Sequence, residues 1–259
     1  MTVEIFRIPA FSDNYLWVAV GANQQALVVD PGDATPIEAF LAARGLTLAA
    51  ILVTHHHPDH TGGVDQLAAA YGCPIYGPQS ARIPQVTHIL AEGDALEVLG
   101  CTFSILEVPG HTLDHIAYFS VDADEHPVLF CGDTLFAGGC GRLFEGTPAQ
   151  MLSSLGKLAT LPPDTRIYCA HEYTLANLRF ADAVEQDNSE LQQRLAEVSR
   201  MRDRGEPTVP STLAQELATN PFMRATAPSV RAAATSRLGH PPADAAETFA
   251  AIRSWKDNF

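Results

Sequence analysis

A short apolar segment runs directly into a cluster of side chains that bind metals. Residues 50–53, AILV, predict a buried strand, and residues 54–63, THHHPDHTGG, follow it at once. On an extended backbone alternate side chains point the same way, so His55 and His57 can approach one ion while His56 points elsewhere. This segment therefore predicts a metal-binding loop between a strand and a helix.

The second half of the same loop carries two more candidate ligands. Pro58 and the following turn redirect Asp59 and His60 toward an adjacent position, so one loop can serve two metal ions. A solvated histidine-rich turn is the alternative for any single histidine. That alternative is disfavoured for the whole cluster, because such tracts rarely lie between an apolar strand and a helix opened by Gly62 and Gly63.

Three further candidate ligands each follow the end of an apolar, strand-like segment. They are His111 after residues 102–108, Asp133 after residues 128–131 and His171 after residues 166–169. A site at the rim of a sheet would collect such residues. Seven ligands are too many for one catalytic ion with an open position but divide into three plus three with one bridging carboxylate, and Asp133 is the best bridge.

The donor types limit the metal without selecting it. Imidazole and carboxylate ligands with no nearby cysteine cluster suit zinc, iron or manganese. We expect two divalent ions, zinc first, with iron and manganese left open. The five cysteines are odd in number and widely spaced, which disfavours a disulfide framework and fits a cytoplasmic protein.

Charge and hydropathy disfavour several classes of partner. The net charge of -14 disfavours nucleic acid and anionic lipid surfaces as partners. No apolar run approaches the roughly 20 residues that a membrane span needs, and the N-terminus has no basic leader before a long apolar stretch. We expect a monomeric enzyme that acts on a small molecule.

The chain changes character near residue 172. Before it, short β-branched runs alternate with Gly, Pro and Asp, and two helices are predicted at 36–44 and 63–71. The predicted strands are 2–8, 15–20, 26–29, 50–53, 95–98, 102–108, 116–121, 128–131 and 166–169, with a hairpin at Leu99-Gly100. After it, apolar residues recur at helical spacing, and the last helix is predicted at 243–256. We expect a two-sheet sandwich domain, 1–172, and a small helical domain, 173–259.

The order of these ligands resembles the signature of the metallo-β-lactamase superfamily, His-x-His-x-Asp-His followed by separate His, Asp and His residues. The resemblance implies an α+β protein, an αββα sandwich followed here by a small all-α C-terminal domain. It also implies a ligand assignment: His55, His57 and His111 for one metal, Asp59, His60 and His171 for the other, with Asp133 between them. Asp59 and Asp133 are the implied catalytic carboxylates, and Asp59 helps to orient a bridging hydroxide.

Within that superfamily the chain is most similar to glyoxalase II, the hydroxyacylglutathione hydrolases. The similarity covers nearly the whole chain and is carried by the segments 54–63, 132–142, 170–174, 220–224 and 252–257. It implies hydrolysis of thioesters such as S-D-lactoylglutathione to D-lactate and glutathione, a step in methylglyoxal detoxification. Two cations sharing a water would lower its pKa from about 15.7 toward neutrality, and a thiol of pKa about 8.5 is a tolerable leaving group.

The resemblance also implies which residues grip glutathione. They are Arg253 and Lys256 for a carboxylate, Tyr173 at the start of the helical region, and Arg142 and Phe144 after the glycine-rich loop. The family often has lysine in place of Arg142 and tyrosine in place of Phe144. This chain therefore has a guanidinium, which favours bidentate binding, where an ammonium is common, and it lacks the tyrosine hydroxyl. Without the resemblance, Arg253 and Lys256 would be interpreted as a solvated helix face.

Other residues are assigned secondary roles. Cys140 has no general base of its own and is assigned to loop packing. Asp30 ends another strand and either supports a metal-binding histidine or forms a simple turn. His56, His88, His115, His126 and His240 are interpreted as structural or surface residues.

Alternative functions remain open at this point. The same scaffold supports a sulfur dioxygenase with one iron and glutathione persulfide, or a lactonase or β-lactamase with a ring substrate. A metal-storage protein is a second class, and a nucleic-acid-processing metallohydrolase, opposed by the charge, is a third. Retention of both Asp59 and His60 with a basic helical tail favours thioester hydrolysis.

Overall fold

The chain divides into two units in a computed structural model that describes residues 3–259. The first unit contains the residues up to Glu107 together with Asp114–Gly132, and the second contains Val108–Leu113 and Asp133–Phe259. The expected domains, 1–172 and 173–259, are a different division of the chain and stay a prediction. No helix within residues 3–259 is long and apolar enough to cross a membrane.

Within the described residues, the first unit contains ten strands, three α-helices and a short 3₁₀ helix at Ala22–Gln24. They are β1 (Glu4–Ala10), β2 (Asn14–Val20), β3 (Gln25–Val29), α1 (Ala34–Arg44), β4 (Thr47–Leu52), α2 (Pro58–Thr61), α3 (Val64–Tyr71), β5 (Ile75–Gly77), β6 (His88–Ile89), β7 (Ala95–Val98), β8 (Cys101–Glu107), β9 (Ile116–Ser120) and β10 (Val128–Gly132). Strands β1 to β6 form a sheet in sequential order, antiparallel from β1 to β3 and parallel from β3 to β6. Strands β7 to β10 form an antiparallel meander.

The predicted elements of this unit are confirmed with small shifts in their ends. The first strand was expected over 2–8 and is observed from Glu4, and residue 2 lies outside the described residues. The hairpin at Leu99-Gly100 is confirmed, since Val98 pairs with Cys101 and both turn residues have positive φ. Strands β5 and β6 were not predicted, because they contain only three and two residues.

Helices α1 and α3 pack on the six-stranded sheet. Ile37 and Leu41 of α1 and Leu67 of α3 are fully buried in one cluster with Val28 and Ile51 of the sheet. Burying a side chain of this size contributes about 1.5–3 kcal/mol. Because β4 and α3 are both held in this cluster, the ends of the segment that joins them, with its histidines, are fixed.

The second unit is mostly helical. Its elements are β11 (Leu135–Phe136), β12 (Gly139–Cys140), α4 (Pro148–Leu158), β13 (Arg166–Cys169), α5 (Thr174–Val184), α6 (Ser189–Asp203), β14 (Ser211–Thr212), α7 (Leu213–Thr219), α8 (Pro228–Leu238) and α9 (Ala245–Asp257). The helical character after residue 172 is confirmed, apart from the two residues of β14, which pair with β13. Helix α9 matches the helix expected at 243–256.

Helix α4 was missed, although its sequence carries a start signal. Thr147 caps it by accepting from the Gln150 backbone N–H, and the Gln150 side chain accepts from the Thr147 N–H. Pro148 occupies the first helical position, which proline favours. This capping box, followed by apolar residues at helical spacing, is a recognisable signature of a helix N-terminus.

Candidate metal centre

The loop between β4 and α3 places its four candidate ligands in two pairs. His55 Nε2 lies 3.1 Å from His57 Nδ1, and His60 Nε2 lies 3.5 Å from Asp59 Oδ2. His55 and His60 are buried, while the Asp59 side chain is 39% exposed. The His55 and His60 rings also lie close together, with centroids 4.1 Å apart, and the assignment of the two halves of the loop to different metal positions stays a prediction.

Asp30 orients this loop from the end of β3. Its Oδ1 accepts from the Thr54 backbone N–H at 2.7 Å, and its Oδ2 accepts from Thr54 Oγ1 at 2.7 Å and contacts His60 Nδ1 at 3.0 Å. A carboxylate on Nδ1 fixes the ring and leaves Nε2 as the nitrogen for a metal. Asp30 therefore supports a histidine, one of the two roles that the sequence left open.

Two more residues of the first unit support the loop and were not identified from the sequence. Asn14 Nδ2 donates to Asp59 Oδ2 at 3.0 Å. The buried His115 ring stacks on His55, with centroids 4.6 Å apart and planes 14° apart. Asn14 and Asp59 are 45 positions apart, so no local pattern could have indicated this contact.

His56 points away from the two pairs, as its place in the alternation predicts. Its Nδ1 lies 2.9 Å from an Asp114 carboxylate oxygen, and its Nε2 lies 2.7 Å from Arg82 NH1. These contacts hold the middle histidine outside the metal ligands and anchor the loop to the segment before β9.

In the second unit, Asp133 lies between two histidines. Its Oδ2 is 3.3 Å from His111 Nε2, and its Oδ1 is 3.4 Å from His171 Nε2. All three residues are buried. Because each carboxylate oxygen faces a different imidazole, the geometry is that of a carboxylate that can bridge two cations.

Backbone and ring contacts fix those two imidazoles. His111 Nδ1 donates to the Arg142 carbonyl at 2.7 Å, which directs Nε2 toward Asp133. The His171 ring lies flat on Tyr173, with centroids 4.7 Å apart and planes 4° apart. Each histidine can therefore present one defined nitrogen to an ion.

Two glycines allow close backbone approaches beside the ligands. A Cβ at Gly32 would lie 1.8 Å from the Asp59 carbonyl oxygen, and a Cβ at Gly141 would lie 2.0 Å from the Asp133 carbonyl oxygen. Real Cβ atoms do not approach backbone this closely, so both positions require glycine.

The residues expected to bind glutathione occupy different environments in the second unit. The Arg142 side chain is 57% exposed, and its Nε lies 3.3 Å from Asp257 Oδ1. Phe144 is 61% exposed, with its ring edge-on to His111 at 5.3 Å. Tyr173 is 37% exposed at the start of α5.

Arg253 and Lys256 do not form the solvated helix face that the sequence pattern alone would suggest. Arg253 is buried and donates to the Cys140 carbonyl at 3.0 Å and to Asp257 at 2.9 Å. Lys256 Nζ donates to the Ala176 carbonyl at 3.4 Å. Burial, followed by the nearby positive charge of Arg253, lowers the pKa of Lys256 below its ordinary value. Their roles in binding a carboxylate remain predictions.

The donor set of imidazoles and carboxylates fits divalent cations, and Cys140 lies outside it. Burial raises the pKa of Cys140 to about 11, despite the opposing charge of Arg253, so this residue stays a thiol at neutral pH. The expected packing role of Cys140 is supported by its carbonyl, which accepts from Arg253. Imidazole nitrogen and carboxylate oxygen are the ligands that suit zinc, iron and manganese.

We expect Asp30→Asn to weaken metal binding by about 10-fold to 100-fold, the usual effect of losing a carboxylate that supports a ligating histidine. The amide cannot accept from both Thr54 and His60 as the carboxylate does. Competition with a chromophoric chelator at fixed pH measures this affinity. Asp33→Asn is the matched control, since Asp33 only caps α1 and asparagine caps equally well. Equal affinities in the two variants would contradict the role of Asp30.

Two family models match this chain, one after the other. A family model described as "Metallo-beta-lactamase superfamily" matches residues 11–171, and one described as "Hydroxyacylglutathione hydrolase C-terminus" matches residues 172–259. The hydroxyacylglutathione hydrolase of Alkalilimnicola ehrlichii is 59% identical, over 98% of both chains. That of Pseudomonas aeruginosa LESB58 is 53% identical, over 99% of this chain and 100% of the other.

Solved structures share the fold. One is the BLEG-1 B3 metallo-β-lactamase, with a TM-score of 0.63 and 25% identity over 85% of this chain and 99% of the other. Another is TTHA1623 in a di-iron-bound form, with a TM-score of 0.60 and 26% identity over 84% of this chain and 99% of the other. The expected metallo-β-lactamase fold is therefore confirmed.

Proposed function

Because the chain belongs to the hydroxyacylglutathione hydrolases of the metallo-β-lactamase superfamily, we propose that it hydrolyses S-(2-hydroxyacyl)glutathione thioesters. S-D-lactoylglutathione would give D-lactate and glutathione, as in methylglyoxal degradation. The observation that carries the chemistry is Asp133, whose two carboxylate oxygens each face a different imidazole. The identity with relatives of this name extends through the helical region that the family model matches.

The centre would hold two divalent ions, with zinc as the first choice. The proposed ligands are His55, His57 and His111 for one ion, Asp59, His60 and His171 for the other, and Asp133 for both. The pairs observed within each unit support this grouping. Iron stays open, since a solved neighbour of this fold is described in a di-iron-bound form. Two bound cations would supply the charge that lowers the pKa of a shared water toward neutrality.

The protein's own groups would orient the reaction. Asp59 is partly exposed and held by the Asn14 amide, so its carboxylate can direct an attacking water toward the thioester carbonyl. The thiolate of glutathione can leave without a strong acid, because a thiol of pKa about 8.5 is an adequate leaving group. Cys140, kept protonated by burial, takes no part as a nucleophile.

The second unit would supply the glutathione contacts. The exposed Arg142 guanidinium can form a bidentate pair with a carboxylate, and Phe144 offers an apolar surface instead of a hydroxyl. Tyr173 presents its ring beside His171. Arg253 and Lys256 would add positive charge near Asp257, from the end of α9.

Composition and charge bear on location and assembly. We propose a cytoplasmic monomer. Its five widely spaced cysteines need no oxidising compartment, and its charge of -14 opposes binding to anionic surfaces.

Metal removal gives the direct test of this function. Dialysis against a strong chelator is expected to abolish hydrolysis of S-D-lactoylglutathione, and two equivalents of zinc per chain are expected to restore it. Absorbance loss of the thioester and metal analysis on the same sample measure both quantities. A heat-treated sample with equal zinc controls for metal-catalysed hydrolysis in solution.

Other outcomes would favour the alternative activities. Oxygen uptake with glutathione persulfide and one iron per chain would indicate a dioxygenase. Ring opening of a lactone or β-lactam without thioester hydrolysis would indicate those hydrolases, and tight metal uptake with no turnover would indicate storage. Full activity after complete metal removal would exclude the proposed mechanism.

A further inference from the structure

The hairpin formed by β11 and β12 is linked to all three candidate ligands of the second unit, through the chain, a hydrogen bond or a ring contact. Asp133 lies two residues before its first strand. Arg142 follows it, and the Arg142 carbonyl accepts from His111 Nδ1 at 2.7 Å. Within the hairpin, the Phe136 ring stands edge-on to His171, with centroids 5.7 Å apart. A shift of this hairpin would therefore move every one of those ligands.

The hairpin is held at its turn by side chains from α7 and from the residue after it. Glu216 Oε2 accepts from the Gly138 backbone N–H at 2.8 Å. Asn220 Nδ2 donates to the Gly139 carbonyl at 2.9 Å and also to Glu216 Oε2 at 3.0 Å. Both side chains are fully buried. Gly138 has a φ of +72°, a backbone conformation that glycine favours. This conformation sets the direction in which the Gly138 N–H points.

A buried cation balances the charge of Glu216. Arg194 of α6 donates to Glu216 Oε1 at 2.6 Å and to Thr219 Oγ1 at 2.7 Å. Hydrogen bonds that involve an ionised group are shorter and about twice as strong as neutral ones. The Glu216 carboxylate thus connects an arginine of the helical region with a peptide N–H of the hairpin. The sequence alone gives no indication of this connection.

We propose that Glu216 is a positioning residue for the metal centre. Through the Gly138 N–H it fixes the hairpin, and through the hairpin it sets Asp133 and the carbonyl that orients His111. This inference rests on the proposed function, because it assigns to Glu216 the alignment of ligands for the two ions. A purely structural Glu216 would affect unfolding but leave the metal affinity of the folded protein unchanged.

The test begins with Glu216→Gln, which keeps the shape of the side chain. Its amide faces three groups that can only donate, the Gly138 N–H, the Asn220 side-chain N–H and the Arg194 guanidinium, and it has one oxygen to offer them. We expect the Zn²⁺ affinity of the folded protein to fall by about 10-fold or more, the range for supporting partners of metal ligands. The visible spectrum of the Co²⁺-loaded protein should change. In steady-state kinetics, the relative fall in kcat should be larger than the relative change in KM.

Rescue separates positioning from loss of charge. In the double variant Glu216→Gln with Arg194→Met, the guanidinium is gone, and the amide oxygen can accept from both Gly138 and Asn220, as Glu216 Oε2 does in the wild-type protein. We expect the double variant to regain most of the lost Zn²⁺ affinity. If the Zn²⁺ affinity is not regained, the loss of the negative charge of Glu216 explains the lower affinity, and the proposal is overturned. Should Glu216→Gln fail to fold, Asn220→Ala, which removes the donor to Gly139, is expected to lower Zn²⁺ affinity in the same way.

Leu191→Ala is the matched control for stability. Leu191 lies in the apolar cluster of α5 and α6 with Leu178 and Val198, so this variant should lower the melting temperature and leave Zn²⁺ affinity unchanged. An equal loss of affinity in Leu191→Ala, or an unaltered affinity in Glu216→Gln, would overturn the proposal. A wild-type protein that binds Zn²⁺ tightly without hydrolysing thioesters would refute the proposed function alone, since the affinity comparison still stands.

Discussion

Asp133→Ala is expected to lower kcat/KM for S-D-lactoylglutathione by at least about 1000-fold, equivalent to about 4 kcal/mol of transition-state stabilisation. The variant removes both oxygens that face His111 and His171, 3.3 and 3.4 Å away. Because this one carboxylate contacts both rings, two separate positions would lose a ligand. The measurement combines steady-state kinetics with metal analysis of the purified variant.

Asp187→Ala is the matched control, since Asp187 is exposed on the loop between α5 and α6 and contributes nothing to the proposed centre. It should retain wild-type kinetics. His171→Ala gives a graded comparison, because it removes one imidazole and should reduce metal content from two ions toward one. Wild-type turnover of Asp133→Ala with a lowered metal content would refute the bridging role.

Gly32→Ala is expected to lower the free energy of unfolding by about 3 kcal/mol or more, at the upper end for overpacked positions. The new Cβ would lie 1.8 Å from the Asp59 carbonyl oxygen and 2.4 Å from the carbonyl carbon. These are backbone atoms, which cannot rotate away as a side chain does, so the loop that carries Asp59 must move. Metal affinity should therefore fall together with stability in denaturant unfolding and chelator competition.

Gly156→Ala makes the same chemical change but is expected to raise the free energy of unfolding. Gly156 lies inside α4, and a Cβ there would meet nothing within 4 Å. Alanine should raise the free energy of unfolding by about 0.5–1 kcal/mol, because glycine is the poorer helix former. A Gly32→Ala variant as stable as Gly156→Ala would show that the close approach to Asp59 is not rigid.

Features set by neighbouring residues were predictable from the sequence. Strand alternation separated His56 from His55 and His57, and the structure confirms it through the contacts of His56 with Asp114 and Arg82. The candidate ligands could be proposed because each follows the end of an apolar segment, and their role in binding metal stays a prediction. Helix α4 could also have been found, since Thr147 and Gln150 form a capping box in the sequence.

Features set by distant pairs were not predictable. Asn14 and Asp59 are 45 positions apart, and Gly138 and Glu216 are 78 apart. A single sequence gives the periodicity of each segment but carries no signal of which segments meet. Arg253 shows the same limit, because its spacing from Lys256 suggests a solvated face, whereas tertiary packing buries its guanidinium against the Cys140 carbonyl.

Burial of the cysteines has a consequence for an enzyme whose product is itself a thiol. Burial raises the pKa of Cys140 to about 11 and that of Cys169 to about 12. Mixed disulfides form through an accessible thiolate, and these two sulfurs are both shielded and protonated at neutral pH. The protein can therefore release glutathione repeatedly, even where part of that glutathione is oxidised, without becoming glutathionylated at these two positions.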